Sequence, residues 1–233
     1  TGRAFNMIGE ILKEIGTYQQ AEEYSICFNG GLIIENKDDT VLYFNGLGFD
    51  KSKELFEIAK QYDVCVLIFT LDCCYIFNAD PDEVQRKTDQ KANFKVIDEY
   101  NMEFLKEDKI AKLLFERRDM EYLMSVKNEL YPKYKDQVAM SFSSNRYLEF
   151  NALGVDKGSG LKWLADYLCV SIDEFIAIGD NYNDLEMIEV AGLGACVSSS
   201  SDDIKKASDI VLKNDYFEGA VKELIEKYVL EEE

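Results

Sequence analysis

Apolar residues recur along this chain at two different periods, and the places where one gives way to the other divide it. Phe5, Ile8, Leu12 and Ile15 are spaced by three and four, which predicts an amphipathic helix, and Tyr24 to Phe28 follows as a short strand. Asn29-Gly30-Gly31 then turns the chain into a second strand at Leu32 to Glu35. From Leu153 the order alternates: a helix from Gly158 carrying Leu161, Leu164 and Leu168, a strand at Phe175 to Ile178, a helix from Leu185, and a strand at Gly194 to Val197. A helix from Asp202, a strand at Asp209 to Leu212 and a helix at Gly219 to Val229 complete it. Short apolar strands set between helices predict a parallel sheet covered on both faces. Ser171 and Glu174 carry a capping-box signature, with room only for a short turn before the next strand.

The middle reads differently. A helix at Lys51 to Tyr62 precedes strands at Val64 to Thr70, Cys73 to Ala79 and Lys109 to Phe115. A helix at Met120 to Leu130 and strands at Val138 to Phe142 and Tyr147 to Phe150 follow. Strands adjacent in sequence without helices between them predict an antiparallel α+β unit. The expected organisation is therefore an α/β core of residues 1–44 and 149–233 interrupted by an inserted α+β domain of residues 45–148, with hinges at Asn36 to Asn45 and Phe150 to Leu153. Phe104, Phe115 and Tyr122 are expected in the core of that insertion.

Composition narrows the chemistry. The 233 residues are 47% hydrophobic, enough for one large domain or two modest ones, and 26 Lys+Arg against 45 Asp+Glu give a net charge of −19. That balance argues against a nucleic-acid partner, whose phosphates demand basic side chains. The complete lack of histidine removes Ser-His-Asp and Cys-His triads and imidazole metal sites from these residues, leaving carboxylates and lysines for acid, base and metal work. The six cysteines form no Cys-x-x-Cys pair and mostly lie in apolar runs, which predicts reduced thiols and a cytoplasmic setting. No apolar stretch approaches the roughly 18 residues of a membrane span, so no membrane partner is expected. Asp38-Asp39 and Glu231-Glu232-Glu233 read as solvated surface. Oligomeric state is not legible.

Four short segments could carry chemistry. Gly179-Asp180-Asn181-Tyr182-Asn183-Asp184 follows an apolar strand directly, at the sheet edge where α/β proteins bind ligands. Asp180 and Asp184 are four apart, so on a helix they share a face and repel; a hard cation such as Mg²⁺ would remove the conflict. The same residues also suit a polar turn with Asp184 as helix N-cap. Lys157 stands where a helix begins, the end that disfavours cations, which an anion beside it would explain; a solvated lysine paired with Asp156 is the alternative. Thr1-Gly2-Arg3 precedes the first helix as a phosphate cradle or an ordinary cap, and Asn29-Gly30 is a ligand-approach loop or simply a turn.

Taken together, Thr-Gly-Arg before a helix, Phe-Asn-Gly-Gly after a strand, Asp-Lys-Gly before a helix and Gly-Asp-Asn-x-Asn-Asp after a strand resemble the haloacid dehalogenase superfamily, most closely its Cof-type phosphatases. The resemblance spans nearly the whole chain and implies a Rossmann-like core with an inserted α+β cap that closes over the site and chooses the leaving group. It implies that Thr1, Gly2, Arg3, Asn29, Gly30, Asn183 and Asn214 bind phosphate or substrate, that Lys157 is catalytic, and that Asp180 ligates Mg²⁺ with Asp184 in support. The implied activity is Mg²⁺-dependent hydrolysis of small phosphorylated metabolites through an aspartyl-phosphate. The family's Asp-x-Asp-x-Thr motif, which holds the nucleophile, occurs nowhere in these residues, and the start at Thr1 leads to the expectation that it lies upstream. Val197-Ser198-Ser199-Ser200 also departs from the family's Gly-Asn-Ala type loop. A sugar phosphomutase and a non-catalytic metal- or ligand-binding fragment are the competing readings.

Overall fold

A computed structural model describes residues 1–230; the terminal glutamates expected at the surface lie outside the described residues. The first segment is less helical than its periodicity suggests. A 3₁₀ turn at Phe5–Met7 leads into α1 (Gly9–Glu14), with Ile8 and Leu12 buried and Ile15 exposed. Strands β1 (Tyr24–Cys27), β2 (Leu32–Glu35) and β3 (Thr40–Phe44) form an antiparallel sheet, Tyr24 opposite Glu35 and Leu32 opposite Phe44. The predicted hinge at Asn36 to Asn45 is therefore mostly the strand β3, entered through a turn in which Asp39 takes a positive φ of 55°.

Helix α2 (Phe49–Ala59) is followed by β4 (Cys65–Thr70), β5 (Cys74–Phe77), α3 (Pro81–Asp89) and β6 (Phe94–Ile97). Then come β7 (Ile110–Glu116), α4 (Met120–Tyr134), β8 (Val138–Ser143) and β9 (Tyr147–Ala152), in a sheet ordered β6-β5-β4-β7-β9-β8. The antiparallel expectation holds except that β5 and β6 run parallel, joined by the crossover helix α3. That helix escapes hydrophobic pattern reading because its buried positions are Glu83 and Lys87, charges satisfied by other charges. Asp80 accepts from the Asp82 N–H as N-cap and Pro81 opens the first turn, both of which are local start signals.

One face of this sheet packs against α2 and α4 through Leu55, Phe56, Leu123, Val126 and Leu130, with Phe115 fully buried among them. Tyr122 flanks that core, whereas Phe104 is 52% exposed with its ring edge-on to Tyr75 at 5.2 Å, so it is not the core residue its spacing suggests. The opposite face, through Cys65, Leu67, Phe69, Cys74, Ile76 and Leu114, packs against Ala4, Ile8, Leu12, Phe28, Leu32 and Ile34. Residues 1–155 consequently form one compact unit and 156–233 a second. The boundary differs from the one read in the sequence because the apolar faces of residues 1–44 find their burial on the sheet of residues 45–148.

The second unit is α/β as expected. Helix α5 (Lys157–Leu168), β10 (Ile176–Gly179), α6 (Leu185–Val190), β11 (Leu193–Cys196), α7 (Asp202–Ala207), β12 (Ile210–Val211) and α8 (Ala220–Tyr228) alternate, and the three strands are parallel in the order β10-β11-β12. Ala195, Val197, Leu212, Ala220 and Leu224 form one core cluster and Ile188, Cys196 and Ile204 another. Ser171 and Glu174 do form a capping box, closing a 3₁₀ turn before β10. The described cysteines are all free, and no helix among the described residues is long and apolar enough to cross a membrane.

Candidate active site

In residues 156–233 the chemistry gathers at the carboxyl ends of the three parallel strands, where backbone N–H groups and loop side chains converge. Strand β10 ends at Gly179, where an added Cβ would lie 2.3 Å from the Asp184 Cβ. Glycine there lets the turn at Tyr182–Asp184 fold back onto the strand end. Asp184 Oδ2 then accepts from the N–H groups of both Asp180 and Asn181 at 3.1 Å. Its Oδ1 accepts from Lys157 Nζ. Asp184 is thus an anchor inside the loop, and the cap reading fails for it: it makes no side-chain cap to α6, while Asn181 caps the turn.

Lys157 reaches this anchor because α5 and α6 approach closely. A Cβ on Gly158 would sit 2.4 Å from the carbonyl oxygen of Glu186. Asp156 is occupied as N-cap of α5, accepting from the Ser159 N–H at 2.7 Å in a capping box, so the solvated Lys157–Asp156 pair is not what forms. Lys157 and Asp184 are only 9% and 5% exposed. Burial works against the Asp184 charge, but the Lys157 ammonium and the two loop N–H groups prevail and hold its carboxyl below the usual range. Asp180 is the reverse case: partial burial first, and the neighbouring Asp184 charge second, push its carboxyl up. A cation beside Asp180 would relieve that penalty.

The donor set fits Mg²⁺ in kind, since it offers carboxylate oxygen and no imidazole. Among the described residues no group of three acidic, cysteine or histidine side chains is placed to hold a metal. Asp180 is the carboxylate that would hold the ion, and Asp184, its oxygens committed to Lys157 and backbone, would support it from behind instead of ligating alongside. Asn183 lies between them in the same turn.

The other strand ends complete the edge. The Val197 N–H donates to the Gly179 carbonyl and the Ser198 N–H to the Asn214 carbonyl, both at 3.3 Å. The loop Ser198-Ser199-Ser200, which departs from the family pattern, therefore sits between the Asp180 and Asn214 loops. Sequence reasoning missed Glu223 on α8, whose carboxylate accepts from the N–H groups of Lys213 and Asn214 and pairs with Lys227. Only its acidic identity near a helix start hinted at this.

Residues 1–155 bring Thr1, Gly2, Arg3, Asn29 and Gly30 together. The Thr1 hydroxyl accepts from the Arg3 N–H at 3.2 Å, and Ala4, not Thr1, precedes the first helical turn, so the Thr1-Gly2-Arg3 segment is a loop rather than a helix end. The Asn29 N–H donates to the Thr1 carbonyl at 2.9 Å and the Phe28 N–H to the Arg3 carbonyl at 3.1 Å. Phe28, Asn29 and Gly30 all take positive φ, 48°, 55° and 98°. For a buried phenylalanine this conformation is strained, by about 1–3 kcal/mol, and such strain concentrates at functional loops. A Cβ on Gly2 would come within 3.0 Å of Asn29 Oδ1, so glycine is what admits the asparagine side chain. Lys112 on β7, which no sequence signal marked, donates to the Gly2 carbonyl at 3.3 Å.

The chain is similar to known proteins over most of its length. The chain is 28% identical over 218 residues to the 5-amino-6-(5-phospho-D-ribitylamino)uracil phosphatase YitU of Bacillus subtilis, covering 91% of this chain and 80% of that one. A haloacid dehalogenase-like hydrolase from Bacteroides thetaiotaomicron superposes with a TM-score of 0.84 at 26% identity, over 97% of this chain and 83% of that one. The subclass IIB sugar phosphatase BT4131 shares the fold, with a TM-score of 0.78 at 16% identity over 97% of this chain and 82% of its own. Residues 1–224 match the model of the haloacid dehalogenase-like hydrolases, and with the strand-end carboxylates and the Thr-Gly-Arg loop in place the chain belongs to that family.

Proposed function

We propose that this hydrolase is a Mg²⁺-dependent phosphatase acting on small phosphorylated metabolites, such as sugar phosphates or phosphorylated cofactors. The observation that carries the reading is the end of β10: a buried ammonium, a carboxylate clamped behind it, and a second carboxylate whose charge Lys157 only partly offsets. The name of the YitU relative, a phosphatase for a phosphorylated ribityl compound, supports the reaction and the substrate class. In this reading Lys157 lowers the cost of gathering a nucleophilic carboxylate and a phosphate dianion in one place. Asp184 keeps the ammonium aimed, and Asp180 would hold Mg²⁺. When bound, the ion would supply charge neutralisation at the phosphoryl oxygens. Thr1 and the loop N–H groups bind phosphoryl oxygens, while Asn29, Asn183 and Asn214 bind phosphate or substrate.

Hydrolysis would run as two displacements, with the ester oxygen leaving as a carboxylate attacks phosphorus and water then cleaving the acyl phosphate. The attacking carboxylate is assigned to the family's Asp-x-Asp-x-Thr motif, which these residues do not contain. Residues 45–148 are proposed as the cap that selects the leaving group. The test is hydrolysis of p-nitrophenyl phosphate by the protein purified from its natural source. Turnover that requires Mg²⁺ and is lost in Asp180→Ala is expected; turnover untouched by chelation or by that substitution overturns the proposal.

A further inference from the structure

Lys112 is a costly residue to place where it is. It is 5% exposed, on a face where Phe69 and Leu114 sit beside the buried polar residues Glu116, Glu149 and Asn151, and a buried ammonium is tolerated only when paired and hydrogen-bonded. Its partner is Glu149 on β9, equally buried, at 2.8 Å, and the other Glu149 oxygen accepts from the Ser143 hydroxyl. The two are diagonal on the sheet, since Lys112 lies opposite Asn151 and Glu149 opposite Leu114. Lys112 also lies over the Phe69 ring, 5.5 Å from its centroid. A pair serving only the sheet would end there. This one continues off the sheet to the Gly2 carbonyl, 110 residues away in sequence.

The carbonyls of the Thr1-Gly2-Arg3 loop show what that contact does. Backbone N–H groups of the neighbouring strained turn hold the Thr1 and Arg3 carbonyls, whereas the Gly2 carbonyl is held by the Lys112 side chain. A trans peptide points its C=O and N–H in opposite directions, so fixing the Gly2 oxygen fixes the direction of the Arg3 N–H. Gly2 is also the loop's most permissive residue, and leaving it untethered would charge the cost of ordering it to every binding event.

We infer that Lys112, neutralised by Glu149, is a positioning residue for the phosphate-binding loop: it presets the Gly2–Arg3 peptide from the sheet of residues 45–148. The inference rests on the reading of Thr1-Gly2-Arg3 as a phosphate cradle. The substitution Lys112→Met with Glu149→Leu removes the pair without leaving a lone buried charge, and isothermal titration with inorganic phosphate reads the loop. The unaltered protein binds phosphate, and the double variant binds about tenfold more weakly while the Arg3 amide resonance of the free protein shifts. Lys112→Arg, which keeps a charged donor, stays within twofold of the unaltered protein. Lys112→Gln with Glu149→Gln, a milder pair of changes suited to a double variant that fails to fold, weakens binding about threefold. Phosphate affinity unchanged in a folded double variant overturns the inference and leaves the phosphatase reading standing. Failure of the unaltered protein to bind phosphate overturns both.

Discussion

Replacing Lys157 by methionine keeps most of the side chain's volume and removes the charge that faces Asp184. Both groups are buried, and breaking such a pair from one side costs about 3–5 kcal/mol, because the remaining charge stays out of water without a counterion. Asp184 retains the N–H groups of Asp180 and Asn181, which places the loss at the lower end, about 3 kcal/mol. The molecule supplies its own probe. Its single tryptophan, Trp163, lies on α5 six residues beyond Lys157 and stacks on Tyr167 at 5.3 Å, so its fluorescence follows the unit that contains the pair. With a urea slope of about 2 kcal/mol per molar, 3 kcal/mol lowers the midpoint by about 1.5 M. Adding Asp184→Leu to Lys157→Met removes the stranded charge and recovers part of the loss, which makes the two changes non-additive. A shift below about 0.5 M for Lys157→Met, or strict additivity in the double variant, would refute the account of Asp184 as an anchor held by Lys157.

Acid unfolding followed by Trp163 separates the two aspartates. Asp184 is held down in the fold, so its contribution is present above the unfolded carboxylate value of about 3.9 and lost as pH falls below it. Glu223, brought to about 2 by Lys227 and the Asn214 and Lys213 N–H groups, acts with the same sign. Asp180 is pushed up and opposes them. Asp184→Asn is therefore expected to flatten the acid-side loss of stability and Asp180→Asn to steepen it; equal slopes in both variants contradict the assignment. Gly179→Ala, which drives a methyl into Asp184, should destabilise the second unit by about 1–3 kcal/mol, checked by the same urea midpoint.

Regular elements were readable wherever a strand or helix divides its residues between core and solvent. The alternation from Leu153 onward is of that kind, and every strand and helix predicted there is present. Helix α3 was not readable, because Glu83 and Lys87 occupy its buried positions and a polar helix leaves no apolar stripe. The Asp180 loop was readable as a candidate site because two carboxylates after an apolar strand are locally unfavourable without a reason. Their division of labour was not, since it depends on Lys157 arriving 27 residues from Asp184 through the close α5–α6 approach at Gly158.

The sequence by itself determined the α/β alternation, the acidic and histidine-free chemistry, and the glycines and asparagines that allow tight loops at strand ends. These follow from local propensity and from the period with which apolar side chains meet a core. Only the tertiary structure decided that residues 1–44 bury their apolar face on the sheet of residues 45–148, that Asp184 is a buried anchor while Asp180 stays exposed, and that Lys112 holds the Gly2 carbonyl. Each of these is a choice of partner for an apolar face, a charge or a carbonyl. Such a partner is set by which distant element packs alongside, information that no window along the chain contains.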